Sequence, residues 1–179
     1  MDAPVETPAD TVAELLVVGL GNPILGDDGA GWAAAELLAQ TGALPPGVAV
    51  ENLSLGGLSL MERLVGLRSA VLIDAITTGQ APPGTVRSFP LASLEDRQEG
   101  HTRSAHDASL QTALQLGRRA GADLPDSEDI TVVSIEIEPC FEFSEQLSPA
   151  VAAAVPEAAR AALQAIHNHT RHGGSNGIP

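Results

Sequence analysis

Lysine and tyrosine are absent from this sequence, cysteine occurs once, and nine basic side chains, all of them Arg, stand against twenty-three acidic ones. Without Lys the chain cannot form a Schiff base or build a P-loop that needs its Lys. Without Tyr it has no tyrosine base. The single Cys140 excludes an intramolecular disulfide framework and any Cys-rich metal site. One Trp and three Phe are too few for a base-stacking platform and are assigned to the core. A net charge of −14 opposes a nucleic-acid partner, because phosphate binding depends on clustered positive charge. The same charge disfavours tight self-association, so a monomer is expected. No apolar run approaches a membrane span, and the acidic opening MDAPVETPADTVAE lacks the basic start of a signal peptide. A cytoplasmic protein with no membrane partner is expected.

What is present is a globular balance: 179 residues, 44% hydrophobic and 18% charged, enough for one core and little more. Residues 1–13 hold Pro and acids without periodicity and read as a flexible leader. A single α/β domain is expected over 14–167, and a disordered tail over 168–179. Strand patterns fall at 15–20, 48–53, 70–75 and 130–138, and helical ones at 29–40, 58–67, 107–120 and 149–166. The alternating segment 84–90 ends in Pro and suits an edge strand. Alternation of these elements predicts a three-layer α/β/α sandwich around one twisted, mostly parallel sheet with an antiparallel edge strand. Ligands in such sheets bind beyond the carboxyl ends of the strands.

Three polar features fall there. The first strand runs into Gly19-Leu20-Gly21-Asn22-Pro23-Ile24-Leu25-Gly26-Asp27-Asp28-Gly29-Ala30-Gly31. This begins like a dinucleotide fingerprint, but Ile24 stands where the third Gly belongs, and two carboxylates would repel a pyrophosphate from the helix start. One acid can cap the following helix while the other points into the cleft. Asp74 closes an apolar strand; by itself it also reads as a strand-end cap. Ser104-Ala105-His106-Asp107 precedes a helical pattern, with Asp107 as N-cap and His106 one residue outside the helix, where an ordinary loop role is open to it. Together, two carboxylates and one imidazole suit a borderline divalent ion with open coordination positions.

The order of the blocks GLGNPILGDDGAG, GGLSLMERL, AVLIDAITTGQAPPGTVRSF, SAHDASLQTAL, IEP and LSPAVAAAVPEA resembles the nickel–iron hydrogenase maturation endopeptidases across roughly residues 15–166. The resemblance implies a protease that removes a C-terminal extension from a nickel-loaded hydrogenase large-subunit precursor. It also implies that Asp28, Asp74 and His106 contact nickel, with Asp28 and Asp74 as catalytic carboxylates. The nickel is the substrate's own and serves as the recognition signal, so no tightly bound cofactor is expected in the free enzyme. The alternative is a relative that binds the nickel-loaded precursor without cutting it, acting as a maturation chaperone. Departures from the family pattern fall at Asn52-Leu53-Ser54-Leu55, where a Gly-Thr stretch is common, at Ser144 and at Cys140.

Other features carry less. His167, His169 and His172 have no spacing that closes a site. Cys140 has no neighbouring base or cation to activate it. No G-x-S-x-G elbow is present. The acid-rich stretch 122–146, with eight acids and no base, reads as a solvated face.

Overall fold

Residues Leu15–Leu20 form β1, buried at every position, and the run LLVVGL shows why: a strand covered on both faces has no solvent side to mark with polar residues. The computed structural model describes residues 13–54, 56–94, 105–139 and 143–173, without the side chains of 94, 105–109, 172 and 173. Most of the expected leader therefore lies outside the described residues.

The chain continues through a 3-10 turn at Gly26–Gly29, α1 at Ala30–Gln40, β2 at Val48–Leu53, α2 at Leu58–Arg63 and β3 at Ser69–Ile76. There follow β4 at Val86–Pro90, α3 at Ala105–Arg119, β5 at Ile130–Glu136 and α4 at Pro149–Gly173. The five strands form one sheet in the order β2-β1-β3-β5-β4. All neighbours are parallel except β4 and β5, so Val86–Pro90 is the antiparallel edge strand expected from its alternation and terminal Pro.

Side-chain alternation divides the core. Val17, Val71, Ile73, Val133 and Ile135 face α1 and α4, and nine Ala side chains belong to that buried cluster. Val18, Leu72, Ile130 and Val132 face α2 and α3 among Leu60, Leu64, Leu110 and Leu114. Helices thus cover both faces, completing the three-layer sandwich.

Three expectations need correction. The closing helix does not end near residue 166; α4 continues to Gly173, taking in His167, His169 and His172, and His169 Nε2 lies 2.9 Å from Thr131 Oγ1. Polar residues on an exposed helix face carry no apolar period, so the pattern faded before the helix did. Helix α3 begins at Ala105, which puts His106 and Asp107 inside its first turn. An acid in that turn is favoured by the helix dipole as well as at the cap, so Asp107 fits either register. Among the aromatics, Phe143 is 82% exposed rather than in the core, and Trp32 is half-buried with its Nε1–H donating to Leu53 O. Among the described residues no helix is long and apolar enough to cross a membrane.

Candidate active site

The strand order runs outward in both directions from β1 and β3: β2 follows β1 on one side, and β5 and β4 lie beyond β3 on the other. Where connections diverge in this way, a crevice opens at the carboxyl edge of the sheet. The segment after β1 and the end of β3 flank that crevice.

The loop after β1 is held by its own backbone and by carboxylates. Gly21 has φ 123°, and a Cβ there would collide with the Asp28 carbonyl, so only Gly lets the chain turn so tightly. Asp28 Oδ2 accepts the Asn22 N–H at 2.7 Å, and the Asn22 carbonyl accepts from Leu25. Asp27 Oδ1 accepts the Ser148 N–H at 2.6 Å, at the start of α4. Neither acid caps α1, whose N-cap is Gly29 with no side-chain hydrogen bond. The reason is geometric. The 3-10 turn runs straight into the helix, so both carboxylates are freed for donors elsewhere in the fold.

The same segment is pressed against β3. Gly31, in the first turn of α1, lies so close to the carbonyls of Leu20 and Ile73 that a Cβ would overlap both. Ile73 immediately precedes Asp74. The close approach of α1 to the β1 and β3 backbones therefore sets how near the Asp27–Asp28 turn comes to Asp74.

Asp74 is fully buried. It lies within β3, two residues before the strand's last residue, rather than closing it as expected. Its register partner is Ser134 on β5, 1% exposed, whose hydroxyl has no hydrogen-bond partner among the described residues. Alternation puts Asp74, Ser134 and Glu136 on the face covered by α3. Because α3 precedes the parallel strand β5 and its far end meets the loop near Gly66 and Asp123, its first turn lies at the carboxyl edge. His106 thus enters the same edge and face as Asp74 by its place in the chain; its side chain is not among those described. Among the described residues no group of three His, Cys, Asp or Glu side chains is disposed to hold a metal ion.

Two neighbouring positions singled out in the sequence also fall at this edge. Asn52, at the end of β2, donates from Nδ2 to Glu36 at 3.3 Å, and its buried Oδ1 faces Gly19. Ser144 pairs with Leu25 as an isolated bridge, its N–H donating to Ile24 O and its carbonyl accepting from Gly26. Cys140 lies outside the described residues. Beside β2, Arg63 hydrogen-bonds Glu51, and that bond together with the carboxylate charge raises the guanidinium pKa.

One residue was missed altogether. Glu136, inside the stretch read as a solvated face, is 3% exposed and binds the loop after β3 through Thr78 and Gly79. The available signal was its period: Ser134 and Glu136 interrupt an apolar strand at alternate positions, on the face that carries Asp74.

Comparison with known proteins agrees with this architecture. The family model described as hydrogenase maturation protease, HycI, matches residues 33–165. The hydrogenase expression/formation protein HoxM of Azotobacter vinelandii is 25% identical over 154 residues, covering 86% of this chain and 72% of that protein. The hydrogenase maturating endopeptidase HybD from E. coli superposes with a TM-score of 0.70 at 25% identity, over 87% of this chain and 93% of that one. The [NiFe] hydrogenase maturation protease HybD from Thermococcus kodakarensis gives 0.63 at 27% identity, over 84% and 97%.

Proposed function

The chain belongs to the hydrogenase maturation protease family, and from that premise we propose that it removes the C-terminal extension of a nickel-loaded hydrogenase large-subunit precursor. What supports this reading is the topology: the turn carrying Asp28 follows β1, Asp74 lies near the carboxyl end of β3, and these neighbouring parallel strands end at the same edge of the sheet. In this reading, Asp28, Asp74 and His106 contact the nickel carried by the precursor. Three hard or borderline donors leave coordination positions for the precursor's own thiolates, so the metal bridges enzyme and substrate. Recognition and chemistry then share a site.

The chemical step is addition of water to the scissile carbonyl. One carboxylate, Asp28 or Asp74, takes the proton from the attacking water, and the nickel polarises the group it contacts. The proton passes to the leaving amine as the C–N bond breaks. The product is a mature large subunit and a free C-terminal peptide.

The test is mass analysis of a purified precursor after incubation with the protein. Loss of the C-terminal fragment from nickel-loaded precursor, and no loss from nickel-free precursor, is the expected result. Tight binding of the loaded precursor with no change in its mass would instead assign a non-cleaving chaperone. The isolated enzyme is expected to retain no stoichiometric nickel after dialysis against a mild chelator.

A further inference from the structure

The loop between β3 and β4 begins three residues beyond Asp74 and returns to the sheet at Val86. Both of its ends are fastened to one residue. At the start, Glu136 Oε1 accepts the N–H groups of Thr78 and Gly79 at 2.6 and 2.8 Å, and Oε2 accepts the Thr78 hydroxyl at 2.6 Å. At the end, the Glu136 N–H donates to Thr85 O at 2.9 Å, and its carbonyl accepts the Gly84 N–H at 2.8 Å. Gly84 has φ 85° and no room for a Cβ against the Ala150 carbonyl, so the returning chain is also fitted to the first turn of α4.

Successive backbone N–H groups turned toward one point form an anion cradle. Here an internal carboxylate fills it. Taking a charge out of water is costly unless donors compensate it, and charge-assisted hydrogen bonds are about twice as strong as neutral ones. The arrangement therefore makes the base of the loop stiff. Its crown remains open: Gly79, Gln80 and Pro82 are exposed, while Thr78 beneath them is half-buried. Asp74 does not depend on this clamp, because strand pairing with β5 holds it in register with Ser134.

We propose that Glu136 is a positioning residue for precursor binding, holding the 77–85 loop as a rigid wall of the crevice against which the polypeptide near the scissile bond lies. This rests on the proposed cleavage reaction. The division of labour predicts where damage appears: Asp28 and Asp74 act at the reacting atoms, whereas Glu136 acts on how well the precursor is held.

Steady-state cleavage of nickel-loaded precursor by the full chain, with amide hydrogen exchange on the same samples, tests this. Glu136→Ala is expected to speed exchange at Thr78 and Gly79 and to raise KM about tenfold, with kcat changed less than about threefold. Glu136→Gln keeps an acceptor for both amides and is expected to bring KM back to within about threefold of wild type. Thr78→Val, which spares the buried position, is expected to raise KM about threefold and serves if Glu136→Ala does not fold. The proposal is overturned by unchanged exchange at both amides, by unchanged KM in Thr78→Val, or by a fall in kcat at constant KM. If the wild type binds the loaded precursor without cutting it, the cleavage reading fails. The clamp is then judged on the dissociation constant: weakening by the same factors supports it, and no weakening overturns it.

Discussion

Asp27 and Ser148 are joined by a hydrogen bond of 2.6 Å from the Ser148 N–H to Asp27 Oδ1, so the turn after β1 and the start of α4 are one unit. The donor sits just ahead of a helix N-terminus, where backbone N–H groups lack intrahelical partners and negative charge is favoured. The acid read as a cap is a cap, but for the last helix of the fold instead of the next one.

Asp27→Ala is therefore expected to lower stability by about 1.5–3 kcal/mol, the range for hydrogen bonds to charged groups. Asp27→Asn keeps an acceptor oxygen and should cost well under half as much. Urea unfolding of the three proteins measures both. Because Asp27 is spent on α4, Asp27→Asn is expected to retain cleavage; equal loss of activity at Asp27→Asn and Asp28→Asn would contradict this division.

Asp28→Asn and Asp74→Asn keep side-chain volume while removing the charge that a dication or a proton acceptor requires. Each is expected to lower cleavage of nickel-loaded precursor by about 100-fold or more. Near-ultraviolet and far-ultraviolet circular dichroism should match wild type. Retained activity in Asp74→Asn would remove that residue from the chemistry.

Gly31→Ala inserts a methyl group where the Leu20 and Ile73 carbonyls already meet the helix. Overpacking of this kind costs about 1–3 kcal/mol, and here it also moves the Asp27–Asp28 turn away from Asp74. A lowered Tm together with a lowered kcat is the expected pair of results. A lowered Tm at unchanged kcat would show that the spacing between α1 and β3 is not what sets the reaction geometry.

His106→Ala is expected to abolish processing of loaded precursor, with His101→Ala, five residues earlier, as the control that processes normally. Product formation followed by mass decides between them. The opposite pattern would shift the SAHD block out of register, and activity in both variants would leave a site made of carboxylates alone.

Much of the fold was readable because it is written locally. The run 15–20 is apolar throughout and 48–53 opens on Val-Ala-Val after a Pro-Pro-Gly turn, and the strands occupy those residues. The alternation and Pro of Val86–Pro90 marked an edge, and it is one. For the candidate site, what the sequence made legible is the edge: parallel strands send their carboxyl ends to one side, so the segment with Asp28 and the strand with Asp74 share that edge without any contact being known. What escaped is long-range. The donors to Glu136 lie 57 and 58 positions away, and the donor to Asp27 lies 121 away. The alternation of Ser134 and Glu136 in an apolar strand marks their shared face, but donors so far along the chain leave no local mark, so the acid-rich stretch around Glu136 reads as surface.

The two core faces differ in what they allow to move. Ala has no side-chain rotamers to lose or exchange, so the Ala-rich contact between α1 and α4 fixes those helices as a plate with a single packed arrangement. Opposite, α2 and α3 rest on Leu and on Met61, side chains that can repack with little change in volume. Strain introduced at the carboxyl edge is therefore expected to be relieved toward α2 and α3, the side on which α3 carries His106, rather than toward the α1–α4 plate that follows Asp27 and Asp28. A molecule built this way is expected to hold the Asp27–Asp28 turn still while the α2–α3 side of the same edge adjusts.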